Sequence, residues 1–362
     1  FLSKSFGYLI RIAFYLFDNT ILNQDTFLMF YLGMNIIDWS AFVFAIILQF
    51  FLFSRGHHFN KLFINFSAMI VYFGLSLFLI IVISENYNDV SQSFKDLLIF
   101  ENFFSKKNII PIITIAGTIF AYFSIVIVNF GDFSRYVKNE KELNLGNLSL
   151  ILNLIIFSLF SVLIVIGVDI ILNKNLENMD RILTNPTDII GKFDNIFLSI
   201  IVLFFILFAS ASTNLIANYV PSQNTLINFF PKKLTLKSSG IIIIIIGFLI
   251  GIYWVPMLSQ IGILSFVDTV GSFFGPIFGI AIVDYYLIKK GKLVNKDIFS
   301  SISNSTYYYS GGWHIKAIYS LFIGFIFSAS TIWNADLSFL QSFSWLIGAL
   351  MSSITYYLLA NR

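Results

Sequence analysis

Between Ile196 and Val220 runs a long apolar stretch that nevertheless carries Ser210, Ser212, Thr213, Asn214 and Asn218. Hydroxyls and amides at membrane depth are costly unless they bind one another, water, an ion or a substrate. On a helix, Ala209, Ser212 and Thr213 are spaced i, i+3, i+4 and share one face. A backbone carbonyl plus two hydroxyls is a hard, all-oxygen donor set, better suited to a small cation such as sodium than to a soft metal. Asn218 follows Ala209 by about two and a half turns at ~3.6 residues per turn, which on a uniform helix sets it half a turn round from Ala209. One helix can thus serve an ion near its middle and a polar small molecule a turn or two away. The alternative is structural, because small polar residues also pack helix on helix.

Other stretches carry weaker signals. Pro111 opens an apolar span, Gly117 interrupts it, and Phe120, Tyr122 and Phe123 follow. This pattern suggests a broken helix lining a cavity, with Tyr122 and Phe123 able to stack on a flat ring; packing against lipid or core is the plainer reading. Asp132 and Arg135, spaced i, i+3 just after that span, suit an ion pair or a gate contact. Gly271, Gly275 and Gly279 form a smooth stripe where another helix can approach, and Pro276 beside it allows a bend. Arg11 and Asp18 fall on one face of the first span, two turns apart. Asp38-Trp39 reads as interfacial anchoring.

The elements that must hold these residues are membrane helices. The chain is 57% hydrophobic and 11% charged, against about 25% charged in soluble domains. We read ten apolar spans, roughly 6–22, 30–53, 61–83, 109–130, 149–172, 196–220, 239–255, 264–288, 316–333 and 338–360. Most are long enough to cross a ~30 Å hydrocarbon core, and their continuous rather than alternating pattern excludes a β-barrel. The even-numbered loops carry Arg55, Lys61, Arg135, Lys138, Lys141, Lys232, Lys233, Lys237, Lys289, Lys290, Lys292 and Lys296. The odd ones carry only Lys95, Lys106, Lys107, Lys174, Arg181 and Lys192, spread over longer segments. By the positive-inside rule the even loops are cytoplasmic, as is the C-terminal Arg362. The Asn185-Pro186-Thr187-Asp188 run in the last long odd loop reads as a turn. The absence of Cys excludes disulfides and thiolate metal sites, and a net charge of +3 argues against nucleic acid as a partner.

Four stretches in order resemble one family: Asn129-x-x-Asp132-Phe133-Ser134-Arg135-Tyr136; Ala209 to Asn218 with Phe230-Pro231-Lys232 after it; Gly271-Ser272 through Gly275-Pro276 to Asp284-Tyr285-Tyr286-Leu287; and Tyr309-x-Gly311-Gly312. Together they resemble the first nucleobase:cation symporter family, which includes hydantoin, allantoin, cytosine, uracil and thiamine-type permeases. The resemblance covers essentially the whole chain, 1–362, as one transmembrane transporter domain. It implies an all-α polytopic protein of LeuT-like inverted-repeat fold with twelve helices. The ten spans here would be helices three to twelve. Because the chain starts at Phe1 rather than Met, helices one and two are expected to precede it. In the family, helix one supplies half of the sodium ligands and part of the substrate site.

Carried over residue by residue, the resemblance implies sodium ligands at Ala209 (by its carbonyl), Ser212 and Thr213. It implies a substrate-binding amide at Asn218 and an aromatic platform, usually Trp in the family, at Phe123 with Tyr122 beside it. Aligning Phe6-Gly7 puts Ser5 and Leu9 where the family often has Trp and Gln, a departure from the familiar nucleobase pose. The implied function is a secondary-active symporter, not an enzyme, importing a flat nitrogen heterocycle by alternating access across the cell membrane. No cofactor is expected beyond the coupling cation, with sodium favoured over a proton because no carboxylate accompanies the Ser/Thr cluster. An amino-acid or amine symporter on the same fold is the rival.

Overall fold

The structure, a computed structural model, describes residues 2–18, 20–98, 105–175, 195–261, 263–298, 300 and 302–361. The turn at Asn185–Asp188, the cations Arg181 and Lys192, and Arg362 lie outside the described residues, as do the side chains of Lys106, Lys107 and Lys174. The described chain is helical. Its main helices are α1 Leu2–Phe17, α2 Ile36–Ser54, α3 His57–Leu97, α4 Lys106–Val128, α5 Glu140–Asn175, α6 Ile196–Thr213, α7 Val220–Phe229, α8 Leu236–Ile261, α9 Ile263–Ile282, α10 Ile315–Trp333 and α11 Ser344–Ala360. Nine spans among the described residues are long and apolar enough to cross a membrane, and they match the second to tenth spans read from the sequence. The first, α1, has 16 residues, fewer than the ~20 a straight span needs.

Local chemistry sets several helix starts. Asn35 caps α2 by accepting from the Asp38 amide at 2.9 Å, and Asn195 caps α6 by accepting from the Leu198 amide at 3.0 Å. The 41-residue α3 is bent at Asn86, whose φ of −141° and ψ of 37° are not helical. Large apolar side chains such as Met69, Phe73 and Ile80 are exposed along it, as a span that meets lipid rather than water allows.

The chain divides into two compact units. The first comprises Phe1–Ile99 and Ser134–Pro256. In it α1 packs on α2 and α6, and α3 packs on α5 and α6. One core joins Phe78, Val82, Ile164, Val168, Val202 and Leu203; a second joins Leu52, Phe53, Ala211, Leu215 and Tyr219. The second unit comprises Phe100–Phe133 and Met257–Arg362. In it α9 packs on α4, α10 and α11 around Ala121, Trp345 and Ala349.

One expectation changes here. Gly117 does not break its helix: α4 runs unbroken from Lys106, five residues before Pro111. Gly117 is small because the backbone carbonyl of Ser342 occupies the space a Cβ would need. Arg11 and Asp18, on one face by their spacing, find separate partners. The Arg11 guanidinium donates to Asp38 across the α1–α2 contact at 2.8 Å, while Asp18 accepts from the amide and hydroxyl of Thr20 at 2.8 and 2.7 Å. A neighbouring helix offered Arg11 a carboxylate at half-buried depth, which its own helix did not.

Candidate functional site

In the first unit the polar stretch sits at a change of helix type. After Thr213 the chain widens into a π turn, Asn214–Tyr219, before α7 resumes. Pro221 supplies the reason: it has no amide to bond the Ala217 carbonyl, so the regular ladder cannot pass through. Single π turns of this kind concentrate at functional sites. They also change the angular reckoning, since the wider turn rotates Asn218 away from where a uniform 3.6-residue period puts it. What the π turn does instead is pair two amides: Asn218 Nδ2 donates to Asn214 Oδ1 at 2.7 Å. Asn218 is exposed, and its own side-chain carbonyl oxygen accepts no hydrogen bond among the described residues.

One turn earlier, the Ser212 hydroxyl donates to the carbonyls of Phe208 at 2.8 Å and Ala209 at 3.1 Å. Its oxygen lone pairs remain as acceptors. Thr213 is exposed, and its hydroxyl makes no hydrogen bond among the described residues. The Ala209 carbonyl, the Ser212 oxygen and the Thr213 oxygen are thus a set of hard donors on one helix. The helix is held in place by Phe208 against Phe63 and Phe66, with ring centroids at 5.9 and 6.0 Å, and by Tyr219 against Phe53 at 5.4 Å.

A residue the sequence reading did not single out joins this region. Gln49, in the middle of α2 and 3% exposed, donates its amide to the Ala211 carbonyl at 3.2 Å. Its Oε1 is buried and accepts no hydrogen bond among the described residues. A lone Gln within the apolar run Ile46-Ile47-Leu48-Gln49-Phe50-Phe51 was the available signal. Leu9, on α1, is half-buried and packs against the Phe78–Val82–Leu203 core; Ser5 is fully buried on the same helix.

In the second unit Tyr122 and Phe123 lie on α4, edge to face at 5.2 Å. Both are exposed, Tyr122 at 62% and Phe123 at 38%, so their ring surfaces are open for stacking within this unit. The next turn is fixed by the Ser124 hydroxyl, which donates to the Ala121 carbonyl at 2.6 Å. The glycine stripe of α9 is in contact along its whole length: a Cβ on Gly271 would lie 2.7 Å from that of Ala121, and on Gly275 and Gly279 it would overlap the carbonyls of Trp345 and Ala349. The Pro276 carbonyl accepts from Ser352 Oγ at 3.0 Å. Asp132 is half-buried in a short helical turn, Phe130–Ser134, and Arg135 follows it, exposed.

The far end of α9 carries a polar cluster. Its last turn is again π, Val283–Ile288. Asp284 accepts from Lys289 Nζ at 2.5 Å and from the Tyr356 hydroxyl at 2.7 Å, and His314 Nε2 lies 2.8 Å from that hydroxyl. Because the Tyr356 proton goes to Asp284, the His314 nitrogen facing it is the donor. His314 stacks on Tyr309 at 3.9 Å. Burial lowers the His314 pKa, with Lys289 and Lys316 adding to the effect against Asp284. For Lys289, burial pulls the ammonium down, but the hydrogen bond and charge of Asp284 outweigh it and the net shift is upward.

A sequence model of the family described as permease for cytosine/purines, uracil, thiamine and allantoin matches residues 25–358. The chain belongs to this permease family. The family is one of permeases rather than enzymes. Among curated relatives, the purine-uracil permease of Arabidopsis thaliana is 27% identical over 206 residues, covering 57% of this chain and 33% of the relative. The allantoin permease of Bacillus subtilis is 25% identical over 235 residues, covering 65% and 46%. The hydantoin permease of Microbacterium maritypicum is 29% identical over 135 residues, covering 37% and 27%. The chain therefore spans half or less of the length of these curated relatives. A solved structure of a nucleobase-cation-symport-1 family transporter, in a closed conformation with bromovinylhydantoin bound, matches with a TM-score of 0.62 over 98% of this chain and 72% of that one. At 17% identity that match establishes the fold alone, and it is the LeuT-like, all-helical membrane fold expected from the sequence.

Proposed function

We propose that this permease-family chain carries a flat nitrogen heterocycle across the cell membrane together with sodium, by alternating access. The observation that carries the reading is the polar stretch of α6 and its π turn. It presents three hard oxygens at Ala209, Ser212 and Thr213 and a paired amide at Asn218, within a span otherwise built for lipid. The exposed Tyr122 and Phe123 rings supply the stacking surface that a planar ring needs. The names of the relatives, which concern purines, uracil, allantoin and hydantoin, support a heterocycle over an amino acid. In this reading the ion stabilises the outward-open arrangement, the substrate binds, and one structural repeat rocks against the other. Asp132 and Arg135 act at the inner rim as gate contacts, Gly271, Gly275 and Pro276 form the close-packed surface along which α9 moves, and the C-terminus is cytoplasmic. The test is uptake of radiolabelled uracil, cytosine, allantoin, hydantoin and thiamine by cells expressing the full gene product, with and without a sodium gradient. Saturable uptake of one heterocycle that depends on sodium supports the reading. Uptake of amino acids or amines alone refutes it.

A further inference from the structure

Asp268 lies within the membrane span Phe266–Ile288, two residues from its beginning, and is 3% exposed. One carboxyl oxygen, Oδ2, accepts from Gln341 Nε2 at 2.9 Å; Gln341 belongs to the 3₁₀ segment Ala335–Phe343 that leads into α11. The other, Oδ1, is buried and accepts no hydrogen bond among the described residues. Among the described residues no cation pairs with the carboxylate. The helices packed on α9 bring few ionisable groups. On α4, Tyr122 is exposed and stands edge to face with Phe123; the side chains of Lys106 and Lys107, which open the helix, lie outside the described residues. On α10, Lys316 and Tyr319 stand in the first turns, and on α11, Tyr356 and Tyr357 in the last. Those ends meet α9 at Asp284, to which Tyr356 is bonded, about 24 Å of helix rise from Asp268. In the 3₁₀ segment Asp336 is exposed, with its amide turned back to Asn334. Among the described residues none of these groups bonds or pairs with Asp268.

An anion here would leave one buried oxygen with neither a donor nor a counter-charge among the described residues, a costly state for a carboxyl. The neutral acid removes that cost. It keeps the Gln341 amide as donor to one oxygen, and its own O–H can turn to a carbonyl of α9, as the Ser272 hydroxyl does to Thr269 at 2.6 Å. We propose that Asp268 is a proton-binding site of this protein, carrying a proton while the 3₁₀ segment is seated on α9. For the carboxyl to ionise, the proton must leave to water and Oδ1 must gain a donor. Release of the proton is therefore linked to entry of water beside Oδ1. The site is distinct from the oxygens of α6 and does not rest on their assignment.

Infrared difference spectroscopy of the purified full-length protein, between acidic and alkaline buffer, reads this group without any transport assay. The expected result is a carboxylic-acid carbonyl band that falls as pH rises and is lost in Asp268→Asn. The asparagine retains an acceptor for Gln341, and gel filtration with circular dichroism checks that the variant folds. A second variant, Gln341→Leu, removes the donor that favours the anion and should move the midpoint of the band to higher pH. A spectrum from which Asp268→Asn subtracts no carbonyl band at any pH overturns the proposal. So does a band that responds to sodium at constant pH but not to pH.

Discussion

Replacing Gln49 by methionine, which keeps the length of the side chain and removes its amide, should leave the fold as stable as before or slightly more so. The reasoning is an accounting of two polar atoms. The hydrogen bond lost, from Gln49 Nε2 to the Ala211 carbonyl at 3.2 Å, is long. Interhelical hydrogen bonds in membranes average about 0.6 kcal/mol, with a maximum near ~1.7. The Ala211 carbonyl is not orphaned, because the Asn214 amide also donates to it. Against that loss, the variant removes Gln49 Oε1, a buried oxygen without a partner, whose desolvation costs about 1–3 kcal/mol. The balance lies between about zero and 2 kcal/mol in favour of the variant. Gln49 is then retained for geometry: it holds the carbonyl between Ser210 and Ser212, where the helix turns from α to π. Apparent sodium affinity should fall about tenfold, at the low end of what outer-shell partners of an ion site contribute. The assays are thermal unfolding in detergent, where ~1 kcal/mol corresponds to roughly 2 °C, and sodium titration of heterocycle binding. A large drop in melting temperature with unchanged sodium affinity would refute the argument and make Gln49 a structural clamp.

Other consequences follow from the same geometry. Gly275→Val forces a side chain into the Trp345 carbonyl and should cost about 1–3 kcal/mol or more by overpacking, seen as a lower melting temperature. His314 has a folded-state pKa below its ordinary 6.5, so the fold binds fewer protons there than the unfolded chain. Its contribution to stability is complete above pH ~6.5 and is lost as pH falls through the lower folded value; His314→Phe should flatten that acid limb in a pH series of melting temperatures. Lys289 is shifted the other way, so its contribution persists from neutral pH upward and is lost only as pH rises through a value above 10.5. Lys289→Met should therefore destabilise at neutral pH and remove the alkaline limb from the same series.

Much of this architecture was legible because lipid imposes a simple rule on sequence. Spans such as Ile315–Trp333 and Ile196–Phe229 are continuous apolar runs of sufficient length, and both appear where the hydropathy places them. What could not be read was anything carried by a distant partner. Arg11 pairs with Asp38 on the neighbouring helix, and Gly117 accommodates Ser342, more than two hundred positions away in sequence. The π turns at Asn214–Tyr219 and Val283–Ile288 are equally hidden, since a 3.6-residue period has no signature for one widened turn. Pro221 was the clue to the first of them. Of the polar residues within spans, Gln49 and Asp268 went unread: each is a lone polar residue in an apolar run, and the partners that give it meaning, Ala211 and Gln341, are distant in sequence.

The sodium assignment on α6 is the centre of the account, and Thr213→Ala probes it most directly. Its hydroxyl makes no hydrogen bond among the described residues and touches neither core, so its removal changes the proposed ion site without disturbing the fold. In proteoliposomes of the full-length protein, we predict that uptake of the transported heterocycle by Thr213→Ala needs about tenfold or more sodium for half-maximal rate. Substrate affinity at saturating sodium should stay close to that of the unaltered protein. An unchanged sodium curve, or equal loss of both affinities, would contradict the assignment.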